Sequence, residues 1–278
     1  MAWPSALLLL ALLGSLLWPH AARANTAFTV GVVPQFTAVD IGLRWTPLLE
    51  RLQKETGIRM QIRTHASIPE FEEEFLKGIP DLVYLNPYHM VMAAKAQGYR
   101  PLIRSTRPLN GILVAHKNGP AKRLSDLDGG ILAFPAPNAF GASLYMRALL
   151  SEREKTRFTA NYVGTHQNVY RHVLMGDALA GGGIETTLEN EPDGVRNQLV
   201  VLYRTPDTAS HPFAVHPRVP QEIALRIQQV LQRMANDQEG RKLLQQVELD
   251  GAASADYTRD YGPLEALRLD RHVVLKKK

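Results

Sequence analysis

Residues 131–150 read ILAFPAPNAFGASLYMRALL. Ile131 to Phe134 is a short apolar run of strand type, Pro135 and Pro137 stop it, and Asn138 is placed to cap a helix whose apolar stripe is Leu144, Leu149 and Leu150. A buried strand, a tight turn and a helix start in that order aim unpaired backbone N–H groups at one spot, and such a spot favours an anion. The stretch suggests binding ahead of catalysis. Any strand-to-helix turn of an α/β protein has this outline, so the rest of the chain decides whether the turn is a site.

Upstream, the same alternation repeats. Phe28 to Val33 reads as a strand, Leu43 to Thr56 as an amphipathic helix closed by Gly57, Arg59 to Arg63 as a second strand and Ile68 to Lys77 as a helix closed by Gly78. Asp81 to Leu85 is a third strand, followed by a helix from Tyr88 to Gln97. This order predicts a mainly parallel, doubly wound sheet. A strand at Ile112 to Ala115 and a helix start at Ser125-Asp126-Leu127 open a second α/β unit. It continues with strand Ile131 to Phe134, helix Ala142 to Ser151, strand Asn161 to Val163, helix Val169 to Gly176 and strand Val200 to Tyr203. His211 to Val215 is a short strand, and Pro220 opens a helix carrying Ile223, Ile227, Val230, Leu231 and Met234; a further helix holds Leu243 and Leu244. Such an ending returns the chain to the first unit. The expected fold is α/β, two doubly wound lobes joined by a two-strand hinge, with residues 25–110 and 206–270 as lobe I, 111–205 as lobe II and 271–278 as a basic tail. The crossings fall near Leu109 to Ile112 and Thr205 to His211, and a ligand is expected between the lobes, at the carboxyl ends of the strands.

Residues 1–24 are expected to be a cleavable signal peptide. Ala6 to Leu17 is an apolar run shorter than the roughly 20 residues a spanning helix needs, and Ala22-Arg23-Ala24 supplies the small-x-small pattern before Asn25. An uncleaved anchor is the alternative, because the leading MAWPS carries no Lys or Arg. The expected location is therefore the periplasm. The sequence has no cysteine, which excludes a disulfide framework, a thiolate metal site and a cysteine nucleophile. Lys and Arg exceed Asp and Glu only as 32 to 27, a mildly cationic balance that helps collect anions. No basic stripe interleaved with aromatics appears, so nucleic acid is not expected as a partner.

The order of these segments resembles type II periplasmic solute-binding proteins, and among them the phosphate, phosphite and phosphonate binding family of ABC importers. Gly31 to Pro34 ending the first strand, Trp45-Thr46-Pro47-Leu48-Leu49, Asp81 to Tyr88, Gly164-Thr165-His166-Gln167-Asn168 and Pro212 to Val215 followed by Val219-Pro220 carry the likeness. It extends over nearly all of the chain after the export segment, up to about Met234. The resemblance implies a tetrahedral oxyanion held by a Ser-Thr-Ser-Gly turn, by a His after the next strand and by groups from the first lobe. Here the turn reads Asn138-Ala139-Phe140-Gly141, without the three hydroxyls. Backbone N–H groups of Phe140, Gly141 and Ala142 can still cradle an anion, with Asn138 or Ser143 as a side-chain donor. His166 matches the family's His, with Asn168 on the same segment. An acidic residue that aminoalkylphosphonate binders use falls at Leu179, and whether Glu185 substitutes is left open by Gly181-Gly182-Gly183, which reads equally as a flexible turn or bulge. A simple oxyanion, or an organic ligand packed between Phe140, Tyr84 and Tyr88, is preferred.

Position adds candidates from the first lobe. Gln35, Phe36 and Thr37 follow the first strand, and Tyr84, Asn86 and Tyr88 end the third, where amide and aromatic groups can close over a ligand. Tyr84 reads equally well as core, and Pro87-Tyr88 as a plain helix start. The histidines after the export segment form no HxH or HxxxH pair, and no P-loop, G-x-G-x-x-G or G-x-S-x-G setting is present. No metal, no cofactor and no catalytic residue is therefore expected. The leading function is capture of a small oxyanion for delivery to an ABC permease, by a protein acting as a monomer. The alternative is a sensory subunit of the same fold that passes ligand occupancy to a membrane histidine kinase or cyclase. An enzyme on the same scaffold is the third reading, and the export segment counts against it.

Overall fold

The protein's structure, a computed structural model, describes residues 27–274. The expected signal peptide and residues 275–278 of the expected basic tail lie outside the described residues.

Three strand–helix units come first: β1 (Phe28–Val32) and α1 (Ala38–Thr56), β2 (Met60–Arg63) and α2 (Ile68–Leu76), β3 (Leu82–Tyr84) and α3 (Pro87–Gln97). Each helix starts on a side-chain oxygen, of Thr37, Ser67 or Asn86, that accepts from the backbone N–H three residues on. Helix α1 therefore begins five residues ahead of Leu43, because Thr37 caps it. Helices α1 and α3 end on Gly57 and Gly98 in the left-handed region. Strand β4 (Arg100–Arg104), which the sequence pattern did not announce, precedes the crossing to β5 (Gly111–His116).

Beyond β5 the chain runs through β6 (Gly130–Phe134), a π-helical turn (Phe140–Tyr145), α4 (Met146–Ala148), β7 (Phe158–Tyr162), α5 (His166–Met175) and β8 (Ala180–Ile184). Short helices α6 (Glu185–Glu189) and α7 (Asp193–Arg196) lead to β9 (Leu199–Arg204). The chain then returns through β10 (Pro212–Val215), α8 (Gln221–Met234), α9 (Gln238–Gln246) and β11 (Ala253–Ser254), and ends in three irregular turns, Tyr257–Tyr261, Gly262–Leu267 and Leu269–His272.

The strands form two sheets, ordered β11-β4-β10-β3-β1-β2 and β7-β6-β8-β5-β9. Parallel pairing is confined to β2-β1-β3 and to β7-β6-β8. Strand β10 runs antiparallel between β3 and β4, and β5 antiparallel between β8 and β9, so each sheet is mixed rather than mainly parallel. Two segments join the sheets. They pair where they cross, Leu109 and Thr208 exchanging both backbone hydrogen bonds at 2.9 Å.

The triple glycine is neither a loop nor a bulge but the middle of β8. A Cβ on Gly182 would collide with the Ala142 carbonyl oxygen and the Phe134 ring, and one on Gly183 with Tyr170. The glycines let the π-helical turn and α5 lie directly on the sheet. Helix packing thus presses Phe140, Ala142, Leu144 and Ile184 of the second lobe into one apolar cluster with Val33, Trp45 and Tyr84 of the first. Two further clusters fill the faces of the second sheet, around Leu132 with Met146 and around Val114 with Tyr170. The lobes therefore meet through apolar contact as well as through the hinge.

Candidate functional site

Four helix starts converge where the lobes meet. Asn86, the cap of α3, and Ala139, ahead of the π-helical turn, line a small inner cavity of about 20 Å³; Thr37 and Thr165, the caps of α1 and α5, line an outer cavity of about 130 Å³. Gln35 and His166 border both. Each helix start carries partial positive charge on backbone N–H groups, so their convergence favours an anion.

The inner cavity takes its floor from the turn. The first backbone bonds of the π-helical segment are Ser143 N and Leu144 N to Ala139 O, at 2.8 and 3.0 Å. The N–H groups of Phe140, Gly141 and Ala142 precede those bonds, and all three residues line the cavity. Phe140 itself is buried and stacks on Tyr145, ring centroids 5.6 Å apart. Its bulk helps hold the cavity near the size of one water molecule. Among the described residues no Asp or Glu lines the inner cavity.

Two buried histidines from opposite lobes complete it. His166, on α5, sits beside the Thr187 hydroxyl, Nδ1 to Oγ1 3.3 Å. That hydroxyl donates its one proton to Ile184 O at 2.8 Å, so it accepts from His166 Nδ1–H and leaves Nε2 for a ligand. His211, just ahead of β10, meets the Gln35 amide, Nε2 to Nε2 3.0 Å, and its ring stacks on Tyr84 at 5.4 Å. Burial lowers the pKa of His166 to about 4; burial, with the charges of His89 and His166, lowers that of His211 to about 3. Both rings are neutral near pH 7. Behind His211 the Tyr84 ring packs on Trp45, centroids 5.0 Å apart, and burial pushes the carboxyl of neighbouring Glu248 up to about 6.

Of the residues singled out in the sequence, Gln35, Asn86, Ala139, Phe140, Gly141 and His166 are brought together around the inner cavity, and Thr37 lies on the outer one. Thr37 spends its hydroxyl on Asp40 as a helix cap, and Tyr84 stands behind His211 rather than on the inner cavity. Tyr88 faces Glu265 and Asp270 of the C-terminal turns. Asn168 Nδ2 donates to Val163 O at 2.9 Å, and Ser143 Oγ donates to Pro137 O at 3.1 Å while accepting from Arg147 Nε at 3.1 Å. These three line neither cavity.

Asn138 caps no helix, contrary to expectation. Its Nδ2 donates to the buried Glu72 carboxylate at 2.8 Å and to Val274 O at 2.8 Å, and its Oδ1 accepts from Val274 N at 2.9 Å. Glu72 also accepts from His89 Nε2 at 2.9 Å, and Asn86 Nδ2 donates to Asn138 O at 3.1 Å. Asn138 thereby clasps lobe I and the C-terminal turn to lobe II. Glu185 is turned away from both cavities and pairs with Arg204 at 2.7 Å. His211, Arg44 and Glu191 were not singled out; the first lines the inner cavity and the other two the outer one.

The arrangement suits binding: donors converge on one small space, and among the described residues lining it no carboxylate stands beside the histidines. The family model described as "ABC transporter, phosphonate, periplasmic substrate-binding protein" matches residues 30–261. A phosphate-import protein, PhnD, of Mycolicibacterium smegmatis is 21% identical over 230 residues, covering 75% of this chain and 72% of that protein. PhnD1 of Prochlorococcus marinus, solved in complex with methylphosphonate, superposes with a TM-score of 0.79 at 14% identity, covering 90% of this chain and all (100%) of that one. A binding protein component of a Pseudomonas aeruginosa ABC phosphonate transporter gives 0.76 at 12% identity, covering 88% and 87%. At these identities the two solved structures speak for the fold.

Proposed function

Because this chain belongs to the family of periplasmic substrate-binding proteins of phosphonate ABC transporters, we propose that its inner cavity is where a small tetrahedral oxyanion of the phosphate, phosphite or phosphonate class is held for a membrane permease. The family is one of binding proteins, not enzymes. The single observation that carries the anion reading is the composition of the inner cavity: a helix N-terminus and two buried histidines, with no carboxylate among the described residues lining it. A cation would find no counter-charge there.

Capture runs through the hinge. A cavity of about 20 Å³ has room for about one water molecule. The lobes therefore separate about the 104–111 and 204–212 crossings to admit a ligand and close on it, contacts from both lobes stabilising the closed form. On this reading lobe I comprises 25–110 and 206–270 and lobe II 111–205, the protein acts as a monomer, and it reaches the periplasm after cleavage before Asn25. The ligand residues are Gln35, Asn86, the N–H groups of Phe140 to Ala142, and His166.

The test is a thermal-shift screen of residues 25–278 against phosphate, phosphite, methylphosphonate, aminoethylphosphonate, sulfate and small organic anions. A concentration-dependent rise in melting temperature with one oxyanion identifies the cargo. No rise with any oxyanion would overturn the reading and favour the sensory role or an unrelated organic ligand.

A further inference from the structure

His166 and His211 come from opposite lobes, face one small cavity and are each at least nine-tenths buried, 5% and 4% exposed. Both have partners compatible with a change of state. The Nδ1–H of His166 is committed to Thr187 Oγ1, so the ring can offer a second N–H only by gaining a proton at Nε2. Gln35, hydrogen-bonded to His211, can present either its NH₂ or its carbonyl oxygen by turning its amide.

Resting on the anion reading above, we propose that His211 is a second anion-binding residue and that capture of the oxyanion draws one proton from water onto Nε2 of His166. The imidazolium then donates to the anion from lobe II while His211 closes on it from lobe I. No covalent bond changes, and the proton returns to water when the ligand leaves.

The surroundings agree with the direction of this change. Asp40 on α1, Glu191 after α6 and Arg44 share the outer cavity with His166, but burial rather than any of these charges sets its titration; Tyr170 meets the ring through Thr187. Around His211 stand Tyr84, and further off His89, which is bonded to Glu72. Without an anion, burial keeps both rings neutral; an anion inside the same water-poor cavity supplies the missing counter-charge.

The experiment is a long-range proton–nitrogen correlation spectrum of residues 25–278 labelled with ¹⁵N-histidine. It is recorded at pH 6 with and without saturating methylphosphonate or inorganic phosphate, with binding measured in parallel by calorimetry. The His166→Gln variant assigns the signal. Free protein should show His166 as the neutral Nδ1–H tautomer, and bound protein should show an imidazolium. The affinity ratio of wild type to H166Q should then fall about tenfold per unit between pH 5 and 7, since the ligand's own titration cancels in the ratio. His211→Gln should weaken binding at least about fivefold and leave the imidazolium signature in place. Binding with His166 still neutral, or an imidazolium already present in the free protein, would overturn the proton uptake while sparing the anion reading. Undiminished affinity in H211Q would remove His211 from the site. If neither of these two anions binds, the spectra are recorded with the oxyanion that the thermal-shift screen identifies, and only failure of every oxyanion in that screen would overturn the anion reading and this inference together.

Discussion

The side-chain amide of Asn138 and the backbone of Val274 hydrogen-bond each other in both directions, Nδ2 to O at 2.8 Å and N to Oδ1 at 2.9 Å. Val274 is thus held on lobe II as a neighbouring strand would be, although the turns before it, around Glu265, pack on α3 of lobe I. Arg147 adds a bond to His272 O at 2.9 Å, and His272 Nε2 meets Glu152 at 2.8 Å. The C-terminal turn is therefore a third connection between the lobes.

Replacing Asn138 with Ala removes that pairing and one of the two donors to the Glu72 carboxylate, which is only 2% exposed. Leaving a buried acceptor short of a partner costs about 1–3 kcal/mol. Urea denaturation of Asn138→Ala should show a loss of that order. The double variant that also ends the chain at residue 273 should lose little more, because the bonds between Asn138 and Val274 are already gone. Fully additive losses would show that the clasp does not work as one unit.

Gly182 tests how the Phe140–Tyr145 turn, the proposed anion site, is supported. A side chain there would strike the Ala142 carbonyl oxygen, which is backbone and cannot swing aside, and the Phe134 ring. Overpacking of this kind typically costs about 1–3 kcal/mol. Gly182→Ala should fall at or beyond the upper end of that range and displace the Phe140–Tyr145 turn, read as a lower midpoint of denaturation together with weakened anion binding. Gly129→Ala, at a φ of 78° with open space around it, serves as the contrast. It should cost only its backbone strain, about 1–2 kcal/mol, and leave binding unchanged.

How far the sequence foretold this geometry follows from where the information lies. Strands and helices with a strong apolar period are written locally and were legible, as were the two lobes, whereas the helix starts capped by Thr37 and Thr165 were placed too late, at Leu43 and Val169. Strand β8 was not, because a run of three glycines carries no β signal. Its conformation is imposed by the turn and helix packed against it. His211 was missed for a related reason. It lies beside Asn86 because β10 runs antiparallel to β3 with Phe213 opposite Tyr84, a register set by tertiary pairing. Asn138 misled because an Asn after a strand caps many helices; here a buried carboxylate 66 residues away claims its amide.

Acid should destabilise the ligand-free protein in a window set by the two cavity histidines. In the unfolded chain each titrates near 6.5, whereas folding lowers His166 to about 4 and His211 to about 3. Below pH 6.5 the unfolded state binds protons that the folded state refuses, so their stabilisation is present above 6.5 and declines as the pH falls, until the folded rings titrate in turn. Denaturation midpoints measured from pH 7.5 to 4 should therefore drop, and His166→Gln should flatten the slope down to pH 4. An identical slope in that variant would mean that His166 is already charged or solvated in the folded protein.

Phe140 sets the strongest test of what the cavity is for. Its ring is buried against Tyr145 within the cluster that joins the lobes. Exchanging it for Ser removes a large apolar side chain, at a cost of about 3–5 kcal/mol if the surroundings do not relax. The same exchange enlarges a cavity of about 20 Å³ and adds a donor beside the N–H groups of Gly141 and Ala142. Stability and affinity should therefore move in opposite directions: Phe140→Ser should melt lower than wild type and bind phosphate or methylphosphonate more tightly, by about tenfold if the hydroxyl makes one charge-assisted hydrogen bond. Denaturant titration and calorimetry on one preparation measure both. A variant that loses stability and gains no affinity would show that Phe140 serves the core alone and does not limit binding.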